Sequence, residues 1–115
     1  SAPIEIVLDG GSVIASRSGA DIVVDVTLTT EVELGVTLAG AEGPVRMASL
    51  NSNNSQGTEI STEQGWLVLR TRGPGAVVLA LSTSTTGDPL RVQVSADGLP
   101  AEERWIGPSG IEAEE

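Results

Sequence analysis

Two tryptophans, six arginines and sixteen acidic residues are nearly all the chemistry this 115-residue chain offers, because it contains no His, Cys, Lys, Phe or Tyr. Those absences exclude more than the residues present suggest. Without His or Cys, neither a Ser-His-Asp nor a Cys-His nucleophile–base arrangement can be assembled. Zinc and copper sites built on imidazole or thiolate fall for the same reason. A pair of carboxylates for glycoside hydrolysis needs a groove and aromatic platforms for sugar, and aromatics are nearly absent. The expectation is a domain with no catalytic residues and no cofactor.

Calcium is the metal whose oxygen-ligand chemistry the composition still permits. Asp9-Gly-Gly-Ser12 together with Asp21, or Thr86-Gly-Asp88 across a loop, supplies oxygen ligands. No run approaches a twelve-residue Asp-rich loop, so turn-forming Asp is the preferred reading and no metal is assigned.

Five residues form the candidate contact set: Trp66, Arg70, Arg72, Asn53 and Asn54. In Trp66-Leu-Val-Leu-Arg-Thr71 the alternation sets Leu67 and Leu69 on one strand face and Trp66 and Val68 on the other. If the leucines face the core, Trp66 lies outside, where it binds a partner or is covered by another segment. Against this, a buried Trp contributes about 3–5 kcal/mol by truncation, so a domain lacking Phe and Tyr has reason to use both Trp66 and Trp105 for packing. Arg70 and Arg72 precede a Gly-Pro turn and suit a carboxylate or phosphate. In so acidic a chain, pairing with nearby Glu is preferred. Asn53-Asn-Ser55 matches a glycosylation acceptor within the polar run Asn51–Gly57.

These residues must be positioned by strands. The apolar share of 39% is almost all Val, Leu, Ile and Ala, with fourteen Gly punctuating short alternating runs. That pattern specifies an all-β chain with its strands in a two-sheet antiparallel sandwich, immunoglobulin-like or jelly-roll-like, of seven to nine short strands. Ile22, Val24, Val26 and Leu28 alternate with more polar neighbours, as do Val32, Leu34, Val36 and Leu38. With only Thr29–Glu31 between them, the two runs are expected to pair as a hairpin. Trp66–Thr71 and Ala76–Ser82, joined through Arg72-Gly-Pro-Gly75, are expected to form a second. Thr58–Ser61 reads as a short edge strand. The sandwich is expected to occupy residues 1–100, leaving 101–115, with five Glu, as an acidic tail or linker that straps Trp105 onto the body.

The net charge of −10 sets aside nucleic acid and anionic membrane surfaces as partners. No run approaches the roughly 20 apolar residues of a membrane span, so the segment is not expected to insert.

The stretch Gly65-Trp-Leu-Val-Leu-Arg-Thr-Arg-Gly-Pro-Gly-Ala-Val-Val-Leu-Ala-Leu81, with Pro89-Leu-Arg-Val-Gln-Val94 and Gly98-Leu-Pro100, resembles a known family. It is similar to the C-terminal β-rich, non-cytosolic domain of multi-pass membrane zinc metallopeptidases of the vacuolar and endoplasmic-reticulum aminopeptidase-like type, over residues 21–100. The resemblance implies that the catalytic zinc lies elsewhere in a parent protein, since none of its ligands maps onto this His-free chain.

The functional expectation is an extracytoplasmic accessory or interaction domain of a larger bacterial protein, monomeric or weakly oligomeric, whose partner is the rest of its polypeptide or another protein. The alternatives are a stand-alone carbohydrate- or calcium-binding module, and a structural or adhesin-like module that assembles through a sheet edge.

Overall fold

The computed structural model describes residues 3–40, 45–54, 57–63, 66–83 and 88–113. Eleven strands run in chain order: β1 Ile4–Leu8, β2 Gly11–Ser18, β3 Asp21–Leu28, β4 Glu33–Gly40, β5 Val45–Ser52, β6 Thr58–Glu63, β7 Trp66–Arg72, β8 Gly75–Thr83, β9 Leu90–Ala96, β10 Leu99–Ile106 and β11 Glu112–Ala113. They form two antiparallel sheets: sheet 1 has the order β1-β2-β3-β8-β5, and sheet 2 the order β11-β10-β9-β4-β7-β6. The chain is an all-β sandwich.

Alternation places every second residue in a shared core. Ile22, Val24, Val26 and Leu28 of sheet 1 face Leu34, Val36 and Leu38 of sheet 2, all at 4% exposure or less. Leu67, Leu69, Val77, Leu79, Leu81, Val92 and Val94 complete the layer, and the cluster contains no aromatic residue. β-Branched and Leu side chains suffice because they pack well on a pleated surface.

Both expected hairpins are overturned. β3 pairs with β2 and β8, whereas β4 pairs with β7 and β9, so the two runs lie in opposite sheets. β7 and β8 are divided in the same way. Period-two patterning decides which residues face the core, but it is identical for two strands paired edge to edge and two strands facing across a sandwich. Four residues, 29–32, can cross the roughly 10 Å between sheets as readily as they can turn within one. Here they cross. Residues 73–74 cross beside them at the same end, where Gly73 N–H donates to Val32 O at 3.1 Å, and β5 and β6 likewise lie in opposite sheets. A Cβ on Gly73 would run into the Thr30 carbonyl and the Leu28 side chain, so the close approach of the two crossings requires glycine there. The expected edge strand holds, with β6 at the margin of sheet 2, and the Asp9-Gly10 and Gly19-Ala20 turns form hairpins β1–β2 and β2–β3.

The boundary at residue 100 falls inside β10, which pairs with β9 from Leu99 to Ile106. Asp97 (φ 50°) and Gly98 (φ 82°) form the two-residue left-handed turn that suits the twist of a hairpin. The segment therefore continues sheet 2 and adds β10 and β11, which takes the described strands past the expected seven to nine. Its weak alternation reflects a margin location. Glu102 and Arg104 occupy the inward register opposite Val94 and Val92, but at the open side of the sandwich, where Arg104 bridges Glu102 at 3.0 Å and Glu112 at 2.9 Å.

One charge is buried in sheet 1. Arg17, 5% exposed on the inner face of β2, donates through Nε to Gly19 O (2.8 Å) and through Nη1 to Asp88 O (2.7 Å) and Ile106 O (2.9 Å). Burial pulls its pKa below the ordinary guanidinium value, and the Asp88 carboxylate works against that shift. These bonds tie sheet 1 to the end of β10.

Candidate ligand-binding face

The outer face of sheet 2 is where the two tryptophans meet. Cross-strand registers give the row Trp105 (β10), Arg91 (β9), Ala39 (β4), Trp66 (β7). Residues opposite one another in antiparallel strands share a face, so both indoles belong to one surface. Three interstrand steps place their backbones about 14 Å apart. Trp66 is 45% exposed. Trp105 is half-buried, with the Arg91 guanidinium carbon 5.8 Å from its ring centroid, within reach of a cation–π contact.

The next row reads Glu103, Gln93, Thr37, Val68, and the one beyond it Pro100, Ser95, Gly35, Arg70. Gln93 Nε2 donates to Glu103 Oε2 at 2.5 Å, which fixes the amide on the surface. The register shift between Pro100 and Glu102 opens a groove of about 390 Å³ bordered by Thr37, Gln93, Ser95, Gly98, Pro100 and Glu103. The face thus offers two aromatic platforms with hydroxyl and amide groups beside the row that joins them.

Packing of both tryptophans is not what the structure shows: neither enters the core cluster. Nor does Trp105 act as a tail anchor, since it sits in a paired strand on the outer face. The remaining candidates lie elsewhere. Arg72 is six residues along β7 from Trp66, about 20 Å away. It pairs with Glu33 at 3.4 Å, as the acidic composition suggests, with both side chains exposed. Arg70, opposite Glu59 in the register, joins Arg72, Glu33, Gly57 and Thr58 around a second groove of about 330 Å³.

Asn53 and Asn54 serve the crossing between sheets. Asn53 Oδ1 accepts from Ala76 N–H at 2.8 Å, and Asn54 Nδ2 donates to Arg72 O. The structure therefore brings Asn53, Asn54 and Arg72 together at one end of the sandwich and leaves Trp66 at the other end of β7. Ser55, the third residue of the glycosylation pattern, lies outside the described residues.

The calcium reading from Asp9 and Asp21 is corrected. Asp9 turns at the Leu28 end of β3 and Asp21 begins that strand, about 24 Å away along it. Thr86 and Gly87 of the other calcium candidate lie outside the described residues. Among the described residues no group of three acidic side chains is placed to hold a metal ion.

Arg91, Gln93 and Trp105 were not singled out as contact residues by their types or spacing. The signal that reveals them is the Asp97-Gly98 dipeptide, a two-residue hairpin turn that folds 99–106 back along β9 and sets Trp105 opposite Arg91.

No family model and no curated protein matches this chain. Solved structures do. The crystal structure of the chitin-binding domain of a chitinase from Pyrococcus furiosus aligns with a TM-score of 0.56 at 14% identity, covering 86% of this chain and 99% of that one. The solution structure of the chitin-binding domain of the hyperthermophilic chitinase from the same organism aligns at 0.54 and 14%, covering 88% and 98%. At that identity the likeness establishes the fold. The chain shares the β-sandwich fold of those two structures.

Proposed function

We propose that this chain is a polysaccharide-binding module that holds its ligand on the outer face of sheet 2, between Trp105 and Trp66. The observation that carries the reading is the placement of the only two aromatic residues in one cross-strand row on the outer face of sheet 2. A core without Phe or Tyr gains most from burying Trp, so leaving both indoles outside forgoes stability and points to a use at the surface.

Pyranose rings carry apolar C–H faces that stack on an indole, while their hydroxyls seek donors and acceptors nearby. Two platforms carried on backbones about 14 Å apart suit a chain of sugars better than a single ring. Arg91 packs on Trp105 and holds that ring in place before ligand arrives. Thr37, Gln93 and Ser95 lie between or beside the platforms and supply polar contacts. The net charge of −10 favours a neutral or cationic glycan over a polyanionic one. The similarity in fold to chitin-binding domains supports this reading and makes chitin the first glycan to test.

We read the module as non-catalytic, since no nucleophile–base pair built on His or Cys can be assembled from its residues. A place in a larger extracytoplasmic protein, such as the membrane peptidase that the sequence resembles, rests on sequence alone and remains the second reading. Co-sedimentation with insoluble chitin and with cellulose tests the first. Retention of the wild-type chain and its loss in both Trp66→Ala and Trp105→Ala is expected; equal retention of the wild type and the double variant would refute it.

A further inference from the structure

The side of the sandwich formed by β5 and β6 is unlike the other side. β5, the edge of sheet 1, pairs only with β8 and packs across the sandwich against β7. β6 lies one strand further out in sheet 2, and among the described residues no strand of sheet 1 extends past β5 to lie over it. Sheet 1 therefore stops one strand short of sheet 2 at this side. The vacant lane has a main-chain edge as its wall and the inner side of β6 as its floor.

The side chains facing that lane are apolar. A bulge between Met47 and Ser49 shifts the register, so that Met47 lies opposite Leu81 and Leu50 opposite Leu79. Both therefore take inward register, which strict alternation would deny to one of them. Yet Met47 is 49% and Leu50 36% exposed. On the floor, Ile60 shares the inward register with Leu69 and is only partly buried. Among the described residues, these core-directed side chains are left partly uncovered.

The charge pattern along the sheet edges is also uneven. β1 carries Glu5, β6 carries Glu59 and Glu63, and β10 and β11 carry Glu102, Glu103 and Glu112. Charged edges resist added strands. β5 has eight residues, no Pro and no acidic residue, and its one charge is Arg46. β5 is thus the edge without acidic residues, and the net charge of −10 of the whole chain favours an uncharged or basic segment over an acidic one.

We propose that β5 and β6 form an acceptor groove for a single extended segment of a partner protein. The segment adds to β5 as a sixth strand of sheet 1, antiparallel like its neighbours. Its alternate apolar side chains cover Met47, Leu50 and Ile60, and the residues between them are uncharged or basic. Main-chain hydrogen bonds supply affinity and the alternate side chains specificity, as in other strand-addition complexes. A second copy of this chain does not fit. Pairing β5 with β5 of another molecule would drive that molecule's β7 into the layer β6 already fills.

The test uses the full 115-residue chain and a synthetic eight-residue peptide that alternates Val with Thr and carries one Arg. Calorimetry measures binding, and amide hydrogen exchange reads protection strand by strand. Binding should slow exchange within β5, and Met47→Asp or Leu50→Asp should weaken it by roughly tenfold or more. Both side chains are exposed, so either variant carries the test if the other fails to fold. Trp66→Ala and Trp105→Ala should bind the peptide as the wild type does, which separates this groove from the glycan face. The proposal is overturned if exchange at β5 is unchanged at saturating peptide. It is overturned equally if a peptide N-methylated at alternate residues, or one alternating Val with Glu, binds as well.

Discussion

Trp66 and Trp105 stand in one cross-strand row, separated only by Ala39 and Arg91, on the face of sheet 2 that points away from the core. Residues 39 positions apart in sequence are thus brought to a shared surface by the order β10-β9-β4-β7. Ala39, 8% exposed, is the small buried residue that separates Trp66 from Arg91 in this row.

Because Trp66 is 45% exposed, removing it should affect binding far more than folding. Trp66→Ala is expected to lower stability by only about 1 kcal/mol, against the 3–5 kcal/mol of a buried Trp. Chemical denaturation measures the first quantity, and a loss above about 3 kcal/mol would place this side chain in a packing role. In the same chain, ligand should shift tryptophan emission in the wild type, and each single variant should lose part of that shift.

Arg91 positions Trp105 through its guanidinium. Arg91→Met keeps the length of the side chain and removes the charge. It should weaken glycan binding by roughly 0.5–1 kcal/mol, the range of an exposed cation–π contact, with stability nearly unchanged. Arg91→Lys should recover part of the loss. Isothermal titration with a soluble chito-oligosaccharide reads both.

Replacing Arg17 tests the buried charge. Among the described residues, the carbonyls of Gly19, Asp88 and Ile106 accept from it and come from separate segments. Arg17→Met leaves those carbonyls without this donor and should cost about 2–4 kcal/mol. The variant should also expose amides in β10 to faster exchange, because the tie between β2 and the end of that strand is lost.

The bridges of Arg104 to Glu102 and Glu112 lie at the open margin and should matter little. The hydrogen bonds that Arg104 donates to Glu102 raise its pKa above the ordinary value, and the charges of Glu102 and Glu112 add to that shift. A raised folded-state pKa on a cation gives stability that is complete below the unfolded value and is lost as pH rises from there through the folded value. For a guanidinium that window is strong alkali, so this arginine contributes no pH dependence near neutrality. Arg104→Gln should cost under about 1 kcal/mol at low salt, and less as salt is added.

The packing at the crossings gives one more check. Gly73→Ala should destabilise by more than about 1 kcal/mol, since the added methyl meets Thr30 and Leu28. Asp97-Gly98 has open space around its glycine, so Gly98→Ala should cost about 1–2 kcal/mol through its left-handed backbone alone.

What the sequence determined by itself was the class of the fold and the facing of its strands. Alternation in Ile22–Leu28, Leu34–Leu38 and Leu67–Leu69 named the core side chains, and the same parity set Trp66 outside. A two-residue period is a local property of the backbone, so it can be read without knowing any neighbour. The absence of His and Cys removed whole classes of chemistry in the same direct way.

Strand partnership was another matter. β3 and β4 carry the pattern of a hairpin and cross between sheets instead, because inward-facing side chains look alike whichever sheet they belong to. Trp105 lay in a segment whose Glu102, Glu103 and Arg104 mask alternation, since its inward register opens at a solvent-filled margin. Only the tertiary structure paired it with Arg91 and placed it on the face of Trp66. That decision rests on hydrogen bonds between residues far apart in sequence, whose energetics are set by the whole sandwich and by no single stretch of it.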